Sequence, residues 1–215
     1  MKKHLTELVF ILDRSGSMQG LEADTIGGFN AMLDKQRREP GEARVSTILF
    51  DDRVELLHDR LPIDRVSPMT GQTYFVRGST ALLDAVGGAI DRIGADPRAA
   101  RSGDLPEHTL FVIITDGREN ASCHYAAPQI REMIRYRQEA DGWEFLFLGA
   151  NIDAVETAGR MGIAADRAVS YHSDSAGTRL NYAAVSAAVS AVRCNAPLCA
   201  DWKEAIERDF RSRNS

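Results

Sequence analysis

The chain has 215 residues, 44% hydrophobic and 27% charged, with a formal net charge of −5. That length supports one well-buried core, and the composition excludes wholesale disorder. The negative balance, with basic residues dispersed except at Arg37-Arg38 and in the tail at Arg211 and Arg213, argues against nucleic acid as a partner.

The N-terminus MKKHLTELVFILDRSGSM begins like a basic leader, but the apolar run Leu8–Leu12 is short and is bracketed by Glu7 and Asp13. It reads as a strand, Leu5–Leu12, and not as a signal peptide. Helical spacing of Ile26, Phe29 and Leu33 predicts a helix over Leu21–Arg37. Strands are predicted at Val45–Phe50 and Val54–His58; the Asp51-Asp52-Arg53 link is too short for a parallel crossover, so they form an antiparallel hairpin in which Asp51-Asp52 is the turn. Leu82, Val86, Ala89 and Ile93 give a helix over Ala81–Ile93, followed by a surface loop at Asp96–Pro106. Thr109–Thr115 is a further strand, Pro128–Gln138 a helix, Trp143–Gly149 a strand, Ala154–Met161 a short helix and Ala168–Tyr171 a short strand. A helix over Ala176–Arg193 ends at Asn195-Ala196-Pro197. Residues 1–200 read as a single domain and 201–215 as a last helix or tail.

Short apolar strands alternating with amphipathic helices make this an α/β chain, a doubly wound, mostly parallel Rossmann-like sheet with one antiparallel edge strand and helices on both faces. No apolar run approaches the ~20 residues of a membrane helix, so no membrane partner is expected. Three cysteines, Cys123, Cys194 and Cys199, are an odd number without a framework pattern and suit the reducing cytoplasm. Cys194 and Cys199 as a pair, or together with Cys123 and His124 on a metal, are the alternatives to free structural thiols. The sequon Asn120-Ala121-Ser122 has no meaning without secretion.

In open sheets of this class ligands gather at the carboxyl ends of the strands. There the chain places Asp13-Arg14-Ser15-Gly16-Ser17, Thr115-Asp116-Gly117 and, before the second long helix, Gly78-Ser79-Thr80. Asp13 and Asp116 offer carboxylates, and Ser15, Ser17 and Thr80 offer hydroxyls. An all-oxygen set with no His or Cys suits a hard cation, Mg²⁺ first and Mn²⁺ or Ca²⁺ next. Gly16 between the serines relaxes the loop backbone. The bland alternatives are helix capping by Ser17 or Thr80 and an Asx turn at Asp116.

Asp13-x-Ser15-x-Ser17, Thr80 in Gly-x-Thr-Ala-Leu and Thr115-Asp116-Gly117 together resemble the metal-ion-dependent adhesion site of von Willebrand factor A domains, a likeness that spans Leu5 to Arg193. The resemblance implies that Ser15, Ser17 and Thr80 coordinate the ion directly, with Asp13 and Asp116 bound to it directly or through water. It further implies that an Asp or Glu carboxylate of a protein partner completes the shell, so the activity is binding and not catalysis. Glu119, Asn120, Ser122, His124, Arg14 and Met18 are placed to tune the choice of partner. His58, His108 and His124 receive no ligand role. A scaffold with a purely structural ion is a second reading. A phosphohydrolase with Asp13 as nucleophile and Asp116 on Mg²⁺ is a third, weakened by Ser15 standing where its general acid should be.

Overall fold

The computed structural model describes residues 5–95 and 105–214. The loop expected at Asp96–Pro106 lies, but for its last two residues, outside the described residues. Strand β1 (Leu5–Asp13) is buried along its whole length, as a strand covered on both faces must be. It pairs in parallel with β2 (Glu42–Phe50) on one side and β4 (His108–Thr115) on the other. Beyond β4 follow β5 (Glu144–Ala150) and β6 (Ala168–Tyr171), both parallel. From the turn after Phe50, β3 (Val54–Pro62) runs back antiparallel to β2, giving the order β3-β2-β1-β4-β5-β6. The hairpin register shifts between Val45 and Ile48, and β3 continues to Pro62, beyond the expected end at His58.

Because strand side chains alternate, β1 feeds two cores. Leu8, Phe10 and Leu12 face α1 (Glu22–Gln36), α5 (Ser175–Arg193) and α6 (Glu204–Arg213), while Val9 and Ile11 face α2 (Leu82–Gly94), α3 (Ala127–Asp141) and α4 (Ala154–Arg160). Phe10 meets Phe29 of α1 edge to face, with centroids 5.4 Å apart, a geometry worth about 0.5–1.5 kcal/mol beyond the area it buries. Trp202, in a short 3-10 turn before α6, and Ile206 of α6 belong to the first of these cores. Among the described residues no helix is long and apolar enough to cross a membrane.

The chain leaves β1 toward β2 and later crosses to β4 on the opposite side. The carboxyl ends of β1 and β4 therefore flank the switch point of the sheet, the crevice in which such folds hold ligands.

Candidate metal centre

Asp13 is the last residue of β1 and Thr115 the last of β4. The 3-10 turn Gly16–Met18 follows Asp13 directly. Backbone hydrogen bonds dock the segment before α2 against the loop after β1, where Gly16 N–H donates to Gly78 O at 3.1 Å and Arg77 N–H to Arg14 O at 2.9 Å, and against the β2–β3 turn, where Ala81 N–H donates to Asp51 O at 2.8 Å. Thr80 is held in turn by Asn120, whose Oδ1 accepts its N–H at 2.9 Å and whose N–H donates to its carbonyl at 3.0 Å. The glycine this loop requires is Gly78, at φ +66°, where a Cβ would come within 2.4 Å of Asp52 Oδ1. Gly16 serves as a hydrogen-bond donor and its φ is not positive, contrary to the expectation that it relaxes the loop.

Both oxygens of Asp13 are engaged: Oδ1 accepts the Ser15 N–H at 2.7 Å and Oδ2 accepts the Thr115 hydroxyl at 2.6 Å. Tyr74 supports it from behind, donating its hydroxyl to the Asp13 carbonyl at 2.5 Å. Asp116 accepts the Ser17 hydroxyl on Oδ1, and the Ser173 hydroxyl on Oδ2 at 2.9 Å. The Ser15 and Ser17 hydroxyl oxygens lie 3.1 Å apart.

A single point gathers the hydroxyls. A Cβ built on Gly117 would stand 3.0 Å from Thr80 Oγ1, 3.2 Å from Ser17 Oγ and 3.8 Å from Ser15 Oγ. Glycine leaves that space free, and three oxygen donors border it. Asp13 and Asp116 are each only 1% exposed, and among the described residues neither has an ion-pair partner. Burial pushes both carboxyls above the usual carboxylate range, and for Asp13 the nearby charge of Asp116 adds to the rise. Two buried acids without a countercharge, beside three hydroxyls, fit a hard cation. Ser17 is exposed, so the cradle opens to solvent.

The five residues singled out in the sequence thus meet at one rim. The capping alternatives are not realised: the N-cap positions of α1 and α2 are Leu21 and Ala81, and neither helix has a side-chain cap. Two residues expected to face a partner are instead interior. Arg14 is 0% exposed, with Nε 2.7 Å from Asp51 Oδ2 and an Nη 2.7 Å from Glu55 Oε2. Met18 is buried in the core at 2% exposure. Asp51 is more than a turn residue, since it also receives Arg77 Nε at 2.7 Å. Glu119 spends its carboxylate on the N–H groups of Leu83, Ala121 and Ser122 and the Ser122 hydroxyl, which fastens its loop to α2. Sequence reasoning missed Ser173. The available signal was position, since it lies just past the carboxyl end of β6. His58 contacts Thr47 Oγ1 at 3.0 Å and His108 contacts Asn195. Cys123, Cys194 and Cys199 are free and exposed.

No family model matches the chain, and no curated protein matches it. Solved structures do. Proximal thread matrix protein 1 from the mussel byssus, with a zinc-occupied MIDAS motif, superposes with a TM-score of 0.61 at 15% identity over 87% of this chain and 46% of that one. A von Willebrand factor type A protein from Catenulispora acidiphila gives a TM-score of 0.61 at 14% identity over 87% and 43%. Manganese-loaded TRAP protein of Plasmodium vivax gives 0.51 at 14% over 70% and 59%. The chain spans less than half the length of the first two. At these identities the likeness establishes the fold, which is that of von Willebrand factor A domains.

Proposed function

We propose that the chain is a metal-dependent protein-binding module that takes one divalent cation at the rim between β1 and β4 and works in the cytoplasm. The ion is Mg²⁺ in the first instance, with Mn²⁺ or Ca²⁺ able to replace it. The observation that carries this reading is the cradle at Gly117, bordered by the hydroxyls of Ser15, Ser17 and Thr80. Those hydroxyls would hold the ion, while Asp116 and Asp13 supply negative charge and orient Ser17 and the Ser15 backbone. A cation held mainly by neutral oxygens keeps most of its charge, so a carboxylate from a partner protein is a strong additional ligand. The neighbours named for zinc and for manganese support a divalent ion in this fold.

Catalysis is not part of the proposal. A nucleophilic Asp13 would need a carboxylate oxygen turned toward substrate, and both of its oxygens accept hydrogen bonds from within the protein. Titration calorimetry of metal-free protein with Mg²⁺ and Mn²⁺, repeated with acetate as a carboxylate probe, tests the reading. One ion should bind to wild type, acetate should tighten it, and Asp13→Asn and Ser15→Ala should lose it while remaining folded. Absence of both heat and thermal stabilisation at millimolar metal would overturn the proposal.

A further inference from the structure

Past the rim, residues 119–125 fold back over the first turn of α2, and a second set of ligand atoms collects there. Asp84, on that turn, is 7% exposed. Its Oδ1 accepts the N–H groups of His124 and Tyr125 and its Oδ2 that of Cys123, each at 2.9 Å. Cys123 Sγ lies 3.8 Å from the same Oδ2. A carboxylate oxygen of Asp84, the Cys123 sulfur and a ring nitrogen of His124 all fall within 4.8 Å of one another. The thiol and imidazole are exposed, on the wall of an open cavity of about 810 Å³ that also borders Asp91 and Gln129.

We propose that Asp84, Cys123 and His124 form a second metal site, separate from the oxygen-lined rim, that takes a borderline-soft transition ion such as Zn²⁺. One thiolate, one imidazole and one carboxylate are the donors zinc selects, and three protein ligands leave a fourth tetrahedral position open toward the cavity. Bonds of about 2.0–2.3 Å to zinc place its ligand atoms roughly 3.5 Å apart. The present spacing reaches that value by turning two surface side chains, while backbone N–H groups already fix Asp84. Coordination takes the thiol proton to solvent, which also ends the sulfur's donation to Oδ2 and frees that oxygen for the metal. Fastening the loop to α2 accounts for Asp84 alone. It requires nothing of the side chains at 123 and 124, yet these are a thiol and an imidazole. Mg²⁺ avoids such donors, so the two sites would sort ions by hardness although one loop joins them.

The test uses the chain with Cys194→Ser and Cys199→Ser, which leaves Cys123 as the only thiol, freed of metal and titrated with Co²⁺. A thiolate-to-cobalt charge-transfer band should grow to one equivalent. It should vanish with Cys123→Ser, weaken in affinity ~10-fold or more with His124→Ala, and persist unchanged with Asp13→Asn. Equimolar Zn²⁺ should slow alkylation of Cys123 ~10-fold or more. Circular dichroism checks that each variant is folded. A missing band with no protection from alkylation, a His124→Ala variant that binds as tightly as its parent, or loss of the band with Asp13→Asn would each overturn the site.

Discussion

At Gly117 a single methyl group would fill the space that the Thr80, Ser17 and Ser15 hydroxyls border. Its Cβ would stand 3.0 Å from Thr80 Oγ1 and 3.2 Å from Ser17 Oγ, close enough to displace a bound ion while needing only small hydroxyl movements. Gly117→Ala is expected to weaken Mn²⁺ binding ~10-fold or more while changing metal-free stability by under about 1 kcal/mol. Calorimetry and urea unfolding of the same preparation check the two halves, and unaltered affinity would mean that the ion does not occupy this point. Ser173→Ala is a milder perturbation: it removes the 2.9 Å donor to Asp116 Oδ2 and should cost about 1 kcal/mol, read from denaturant midpoints. These two residues divide what the sequence disclosed. That Asp13, Ser15, Ser17, Thr80 and Asp116 gather at one rim was legible because each lies at or beside the carboxyl end of a strand or in the loop before α2. Ser173 was not, because its contact joins positions 57 residues apart, through a four-residue strand with little pattern of its own.

At the scale of elements, burial at the rim depends on pieces far apart in the chain. Arg14 reads as a surface loop residue until the β2–β3 hairpin supplies Asp51 and Glu55 and the segment before α2 brings Phe75, whose ring centroid is 5.3 Å from the guanidinium. Local sequence carries no trace of that closure, which is why the expectation of an exposed Arg14 failed. Arg14→Ala removes two charged hydrogen bonds but leaves Asp51 paired with Arg77 and Glu55 half-exposed, so it should destabilise the metal-free protein by about 1.5–3 kcal/mol, measured by urea unfolding. The start of α5 shows a pH-dependent device. Asp174 Oδ1 accepts the Gly177 N–H at 2.8 Å, and the Arg213 side chain, with that N–H, holds its carboxyl below its ordinary value of 3.8. A depressed carboxyl contributes stability that is present above pH 3.8 and lost as pH falls through the lower folded value. Asp174→Ala should therefore cost about 1 kcal/mol at neutral pH. The gap to wild type should close as acid protonates Asp174, which thermal melts across an acid pH series would follow.

For the molecule as a whole, the mostly parallel sheet with one antiparallel edge followed from sequence because β1, β2, β4 and β5 carry dense apolar runs and the three-residue link after Phe50 allows only a hairpin. The role of residues 200–213 did not, because α6 is mostly polar and reaches the core through few side chains. Trp202 is 8% and Ile206 1% exposed. The Trp202 indole donates to Asp166 O at 2.9 Å, and Phe210 stacks on His172 with centroids 4.7 Å apart. This segment closes the α1–α5 face beside β6, so its removal should be felt as a loss of core packing and not as fraying of an end. Trp202→Ala is expected to cost about 3–5 kcal/mol and to lower Tm by about 10 °C, still in one cooperative transition by both near- and far-ultraviolet dichroism. The ion contacts proposed at the rim come from β1, β4 and the loops beside them, whereas the Trp202 indole bonds to Asp166 O, before β6. Contributions from such separated sites add, so Mg²⁺ should raise the Tm of Trp202→Ala by the same increment as it raises that of wild type. A smaller increment would mean that α6 and the rim share an equilibrium, and a second transition would mean that the C-terminal segment unfolds on its own.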